Sequence, residues 1–174
     1  MSFTRVRALI LVGVLVVAAA VVVVLAVVRD SQGAAVAAGC PAGAPVANLR
    51  IPAGPHEVTV KVFNGTETPD LGFGVSDDFA NRRFNVRKPA KNPKLVKDVA
   101  VLRYGPEGVG AAQLVQAYFL GKATPAYDPR RKGAVVDVVI GTYYRELGTT
   151  TQVNQAHGIL GEADLPPGAC APTT

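Results

Sequence analysis

The chain has 174 residues, a formal charge of +5 from 18 basic and 13 acidic side chains, no Trp, and an abundance of Val, Ala, Gly and Pro. Arg5 and Arg7 precede a long apolar run, so the remainder of the chain is only weakly basic, and charge makes no case for a nucleic-acid partner. Its size suits one domain with a real core.

Residues 8–28 are Ala, Val, Leu, Ile and one Gly, without a charge or a hydrogen-bonding side chain. A helix of that length spans about 30 Å, the thickness of a bilayer's hydrocarbon core. The basic end predicts a cytoplasmic N-terminus at 1–7, a single transmembrane helix at 8–28 and an extracytoplasmic remainder. Two competing readings stay open: a signal peptide cleaved at Ala35-Val36-Ala37, and a lipoprotein box ending at Cys40. All three place the body of the protein outside the cytoplasm.

Residues 29–55 read as an extracytoplasmic linker of Ala, Gly, Pro and Val. Cys40 lies within it, and the second cysteine, Cys170, lies near the far end. An even count in an oxidising compartment predicts a disulfide. Closing so long a loop contributes about 4–5 kcal/mol in the chain-entropy picture. Free thiols, or a lipid on Cys40, are the alternatives.

Val58, Val60 and Val62 alternate along the first strand, and Asn64-Gly65 supplies turn chemistry. Asp70 is the expected N-cap of a helix whose face is Leu71, Val75 and Phe79, ending near Arg83. Phe84-Asn85-Val86 is a short strand leading into a Pro- and Lys-containing loop. Residues 99–104 form a third strand, and 107–120 a second helix with Ala111, Leu114, Val115 and Tyr118 inward. Residues 134–140 are nearly continuously apolar, as a central strand requires, with Asp137 facing out. Residues 148–174 show no clear element and read as an extended tail. The expected class is α/β (α+β), a βαββαβ two-layer sandwich over 56–147, ferredoxin-like or a close variant.

The order and identity of these pieces resemble the LytR C-terminal domain, a module of envelope proteins in Gram-positive bacteria and especially actinobacteria. The likeness is carried by Val60-Lys61-Val62-Phe63-Asn64-Gly65-Thr66, by Leu71, Val75, Phe79, Phe84 and Val86, by Arg103-Tyr104-Gly105-Pro106 with Ala111-Ala112, and by Val136-Asp137-Val138-Val139-Ile140-Gly141. Glu67, Asp70 and Arg83 stand where the family usually has Gly, so local differences are expected there. In many relatives the module comes after a phosphotransferase domain. The resemblance implies here a stand-alone, membrane-anchored envelope-integrity protein without that catalytic unit.

No metal-ligand spacing, nucleophile elbow or phosphate loop occurs, and His56 and His157 stand alone. The expectation is a non-catalytic module without metal or cofactor, partnered by the membrane, by peptidoglycan or anionic wall polymers, or by other envelope proteins. An accessory role in a wall-polymer transferase complex, without a wall ligand, is the alternative. Arg82, Arg83, Arg87, Lys88, Lys91, Lys94 and Lys97 form a basic segment without an acid. They are a candidate contact for anionic polymer or lipid, or else a solvated loop. Asn64, Gly65 and Thr66 match a glycosylation sequon, but a turn role fits the resemblance.

Overall fold

The computed structural model describes residues 13, 15–17, 19, 20, 40 and 43–172. The cytoplasmic end 1–7, nearly all of the 8–28 run and the cleavage site at 35–37 lie outside the described residues, although the positions described within the run are helical. Among the described residues, no helix is long and apolar enough to cross a membrane. The chain divides into two compact units, Met1–Gly39 and Cys40–Thr174, and the second holds the sheet and its helices.

Five strands form one sheet: β1 (Thr59–Asn64), β2 (Asn85–Lys91), β3 (Ala100–Tyr104), β4 (Thr124–Tyr127) and β5 (Val136–Ile140). Among the described residues of the second unit, three helices accompany them: α1 (Leu71–Asn81) between β1 and β2, α2 (Val109–Tyr118) between β3 and β4, and α3 (Thr150–Leu160) after β5. The strand order is β2-β1-β5-β3-β4. Strands β1 and β2 are parallel neighbours, as are β3 and β4, and β5 lies between the pairs, parallel to β1 and antiparallel to β3.

Side-chain alternation sends Val60 and Val62 of β1, Leu102 of β3, and Val136, Val138 and Ile140 of β5 to one face. Val75 and Phe79 of α1 and Leu114 and Val115 of α2 meet them there as a single core. Phe84 closes its side, edge-on to both Phe79 (5.0 Å) and Tyr118 (4.9 Å). Burying each large apolar side chain of this set contributes about 1.5–3 kcal/mol. Helix α3 packs on α2.

The two-layer α+β class expected from the sequence holds, but the element count and order differ in detail. Each βαβ pair is adjacent in the sheet, whereas the ferredoxin-like arrangement splits it. The added strand is β4, whose Pro125 fits because β4 lies at the sheet edge. The linker expected over 29–55 is domain structure in its described part from Pro45 onward. Ala47 is fully buried and donates its N–H to Cys170 O at 2.8 Å, Asn48 donates to Pro106 O at 2.8 Å, and Gly110 donates to Asn48 O at 2.9 Å. A strap bonded to loop and helix ends needs no apolar period, which is why composition concealed it.

The tail expected to be extended over 148–174 contains α3. It opens on a capping box in which Thr149 and Gln152 satisfy each other's backbone N–H. Its one buried residue is Val153, so no apolar stripe marks it in sequence. Strand β2 runs on to Lys91, where a loop was expected. A bulge opposite Lys61 and Phe63 accommodates the extra residue near Pro89, again at an edge. Asp70 precedes α1 as expected, but its side chain makes no capping bond. Asp70 (φ 56°) and Arg83 (φ 69°) both take left-handed backbone, the conformation glycine adopts most cheaply. At those two positions the chain therefore keeps glycine-like turns without the glycine.

Candidate functional site

The C-terminal ends of β1 and β2 open into a crevice of about 490 Å³, a volume within the range of small-ligand sites. One wall is the loop from Asn64 to Phe73; the other is Pro89, Ala90 and Lys91. Parallel strands with a helical crossover favour such a cleft at their carboxyl ends.

The loop is held by its own side chains. Asn64 Oδ1 accepts from the Thr66 N–H (2.9 Å) and from the Thr66 hydroxyl (2.8 Å). Asn64 Nδ2 donates to Thr68 O at 2.8 Å, and the Thr68 N–H donates back to Thr66 Oγ1 at 3.1 Å. Gly65 sits where a Cβ would lie 2.7 Å from Ile140 O, with Val96 and Val139 also in the way. Asn64 and Thr66 are thus consumed in building the rim, and Gly65 is required there by the close approach of Ile140 O. At the start of α1, a Cβ on Gly72 would meet the Asn64 side chain at 3.2 Å, so helix and strand end approach closely.

Other groups face the opening. Phe73 is 55% exposed although it stands in the first turn of a helix whose opposite side is core. Glu67, Thr68 and Asp70 line the same wall, and Lys91 faces them from β2. The crevice combines an apolar platform with both signs of charge. An amphipathic or zwitterionic ligand, sugar-like or peptide-like, matches that chemistry.

The basic segment does not converge on one site. Arg82 is half-buried, donating from Nη1 to Gly148 O at 2.7 Å and lying 5.7 Å over the Tyr118 ring. Burial raises the Tyr118 hydroxyl pKa, and Arg82 pulls it partly back. Arg82 is a packing residue that fastens α1 to the start of the C-terminal helix. Arg83, Arg87, Lys88, Lys91, Lys94 and Lys97 are exposed. Seven residues of strand extend about 23 Å, so Arg83 and Lys91 stand at opposite ends of β2. Lysine, arginine and proline on an edge strand also discourage another chain from pairing there. Only Lys91 joins the crevice.

Away from the crevice, Cys40 and Cys170 form a disulfide with Cα atoms 5.7 Å apart, as the sequence predicts. It secures a small parallel bridge between Val46 and Cys170, where Cys170 N–H donates to Pro45 O at 2.9 Å. Arg50 binds Glu57 at 2.6 Å, and that hydrogen bond lowers the Glu57 pKa.

Residues 57–144, half of the chain, match the family described as the LytR cell envelope-related transcriptional attenuator. The chain belongs to that family. The LytR match covers β1 to β5 and contains the whole crevice. The fold also resembles a solved structure, the soluble domain of a conserved hypothetical secreted protein from Mycobacterium marinum, with a TM-score of 0.54 and 18% identity. That likeness spans 62% of this chain and 88% of the other, and it is one of fold. No curated protein matches the chain.

Proposed function

We propose that this LytR-family chain is a non-catalytic, extracytoplasmic envelope module that supports envelope integrity by holding a cell-wall component or an envelope protein in the β1–β2 crevice. The apolar run at 8–28 would anchor it as a single-pass protein of the actinobacterial stand-alone type. The observation that carries the reading is the preformed crevice. Its amide and hydroxyl groups at Asn64 and Thr66 are spent on rigidity, while Phe73 and Lys91 are left facing outward. A rigid rim around an exposed aromatic suits binding rather than turnover.

The test is co-sedimentation of the full chain, in nonionic detergent, with purified peptidoglycan sacculi before and after removal of attached anionic polymers. The parent should sediment with the wall, and Phe73→Ser with Lys91→Ser should release it. A parent that fails to sediment with either preparation would overturn the wall-binding reading. The second reading, an accessory subunit acting through protein contacts alone, draws on Ile159 of α3, which is 86% exposed. Partner recovery that is lost on Ile159→Ser but kept in the crevice variant would favour it.

A further inference from the structure

The sheet face away from the helices carries a feature that the linear order of the chain conceals. Strand register sets Arg87 of β2 beside Lys61 of β1, Lys61 beside Asp137 of β5, and Asp137 beside Arg103 of β3. Partners in register share a face, so the four side chains form one row across four strands, about 14 Å long at normal strand spacing. The next row is apolar: Ala90, Phe63, Val139 and Val101. Among the described residues no helix lies over this face; Val96 packs over the buried Val139 beside Gly65, and the line of charge runs beside it.

A sheet could place such a row for its own stability, with Asp137 neutralising its cationic neighbours. The contacts are different. The Asp137 carboxylate is held by Arg131 at 2.9 Å, and among the described residues neither Lys61, Arg87 nor Arg103 has an ion-pair partner. The nearby carboxylate of Asp98 is occupied by the Thr124 hydroxyl and the Val99 N–H. Two of the three cations are also positioned: Lys61 Nζ lies 4.9 Å over the Phe63 ring, and Arg103 Nη2 is 3.3 Å from Asn92 Oδ1. Three cations without an ion-pair partner remain, two of them oriented.

We infer that this charged row on the sheet face opposite the helices binds a linear phosphate-bearing polymer, laid across the strands with its anionic groups along Arg87, Lys61 and Arg103. Cations in a row match repeating phosphodiesters, and the half-buried Phe63 and Val101 flank them with hydrocarbon. A membrane surface would instead need protruding apolar anchors, whereas Phe63 is half-buried and Val139 fully buried. The face shares only Ala90 with the crevice wall, none of its three cations lines the crevice, and the site stands or falls without it.

The probe is long-chain inorganic polyphosphate, immobilised and titrated with the full chain in nonionic detergent. Two double variants remove equal charge: Arg87→Ser with Arg103→Ser from the row, and Lys94→Ser with Lys97→Ser from the exposed loop. The row variant should lose about tenfold or more in affinity and the loop variant less than about twofold, as fixed contacts outweigh diffuse charge. Lys61→Ser, which breaks no hydrogen bond in the fold, guards against misfolding of the Arg103 variant and should lose affinity with an unchanged melting temperature. Phe73→Ser in the crevice should bind polyphosphate like the parent. Equal losses from row and loop would reduce the effect to net charge and overturn the proposal. So would displacement of polyphosphate by micelles doped with phosphatidylglycerol at lower phosphate concentration, which would make the face a membrane contact.

Discussion

The rim of the crevice rests on a single amide. Asn64→Ala removes three hydrogen bonds at once: those from the Thr66 N–H, from the Thr66 hydroxyl and to Thr68 O. Each contributes about 0.5–1.5 kcal/mol net, and the partly exposed setting favours the lower half of that range. The expected loss is about 2 kcal/mol, or roughly 6–10 °C in melting temperature for a domain of this size. Three further variants apportion it. Asn64→Asp keeps both acceptor contacts but sets a carboxylate oxygen against Thr68 O, so it should cost about half as much as the alanine. Thr66→Val removes the hydroxyl that bridges Asn64 and the Thr68 N–H, whereas Thr66→Ser keeps it and should sit near the parent. Thermal unfolding monitored by circular dichroism gives the ranking, and affinity at the crevice should fall in the same order. If Asn64→Ala melted with the parent, or Thr66→Ser lost as much as Thr66→Val, the side-chain network would not be what holds the loop.

Phe79 is fully buried at the centre of the aromatic cluster, so Phe79→Ala should cost about 3–5 kcal/mol by urea unfolding. Reducing the Cys40–Cys170 disulfide, which closes a 130-residue separation, should lower stability by up to about 5 kcal/mol. It should also expose the 161–170 segment to limited proteolysis before the sheet is cut. Arg83→Gly relieves a left-handed arginine (φ 69°) and should raise stability by up to about 1 kcal/mol in denaturant titration, the residual after glycine's greater unfolded entropy. Burial pushes the Tyr144 hydroxyl up to about 12, and burial raises Tyr104 and Tyr127 in the same direction. The folded state thus holds these protons more tightly. Stability should be intact below the unfolded tyrosine pKa of about 10 and decline as pH rises from there through about 12. Tyrosinate absorbance should rise together with that loss.

The legibility of the chain depends on what each residue answers to. Val60, Val62, Phe79, Leu114 and Val138 obey a period because each faces one core, and a period is visible in a single sequence. The segment 45–51 and helix α3 answer to individual partners instead: Asn48 to Pro106 and Gly110, Thr149 to Gln152. Of these, the Thr149-x-x-Gln152 capping box is the one local signal present, and without an apolar stripe behind it that signal does not mark a helix. Strand β4 was hidden by Pro125, which signals a loop anywhere except at a sheet edge, and edge position is a property of topology. The two candidate surfaces divide in the same manner. The crevice could be approached from sequence, because Asn64-Gly65-Thr66 is contiguous and its residue types favour turns. The cationic row could not, because Arg87, Lys61, Asp137 and Arg103 become neighbours only through register. Sequence proximity had grouped Arg82 through Lys97 into one basic segment. The fold disperses that group, assigning Arg82 to packing, Lys91 to the crevice and Arg87 to the opposite side of the sheet from the core. Three roles with different demands are thereby drawn from one run of charge, which is why substituting the run as one block would confound them.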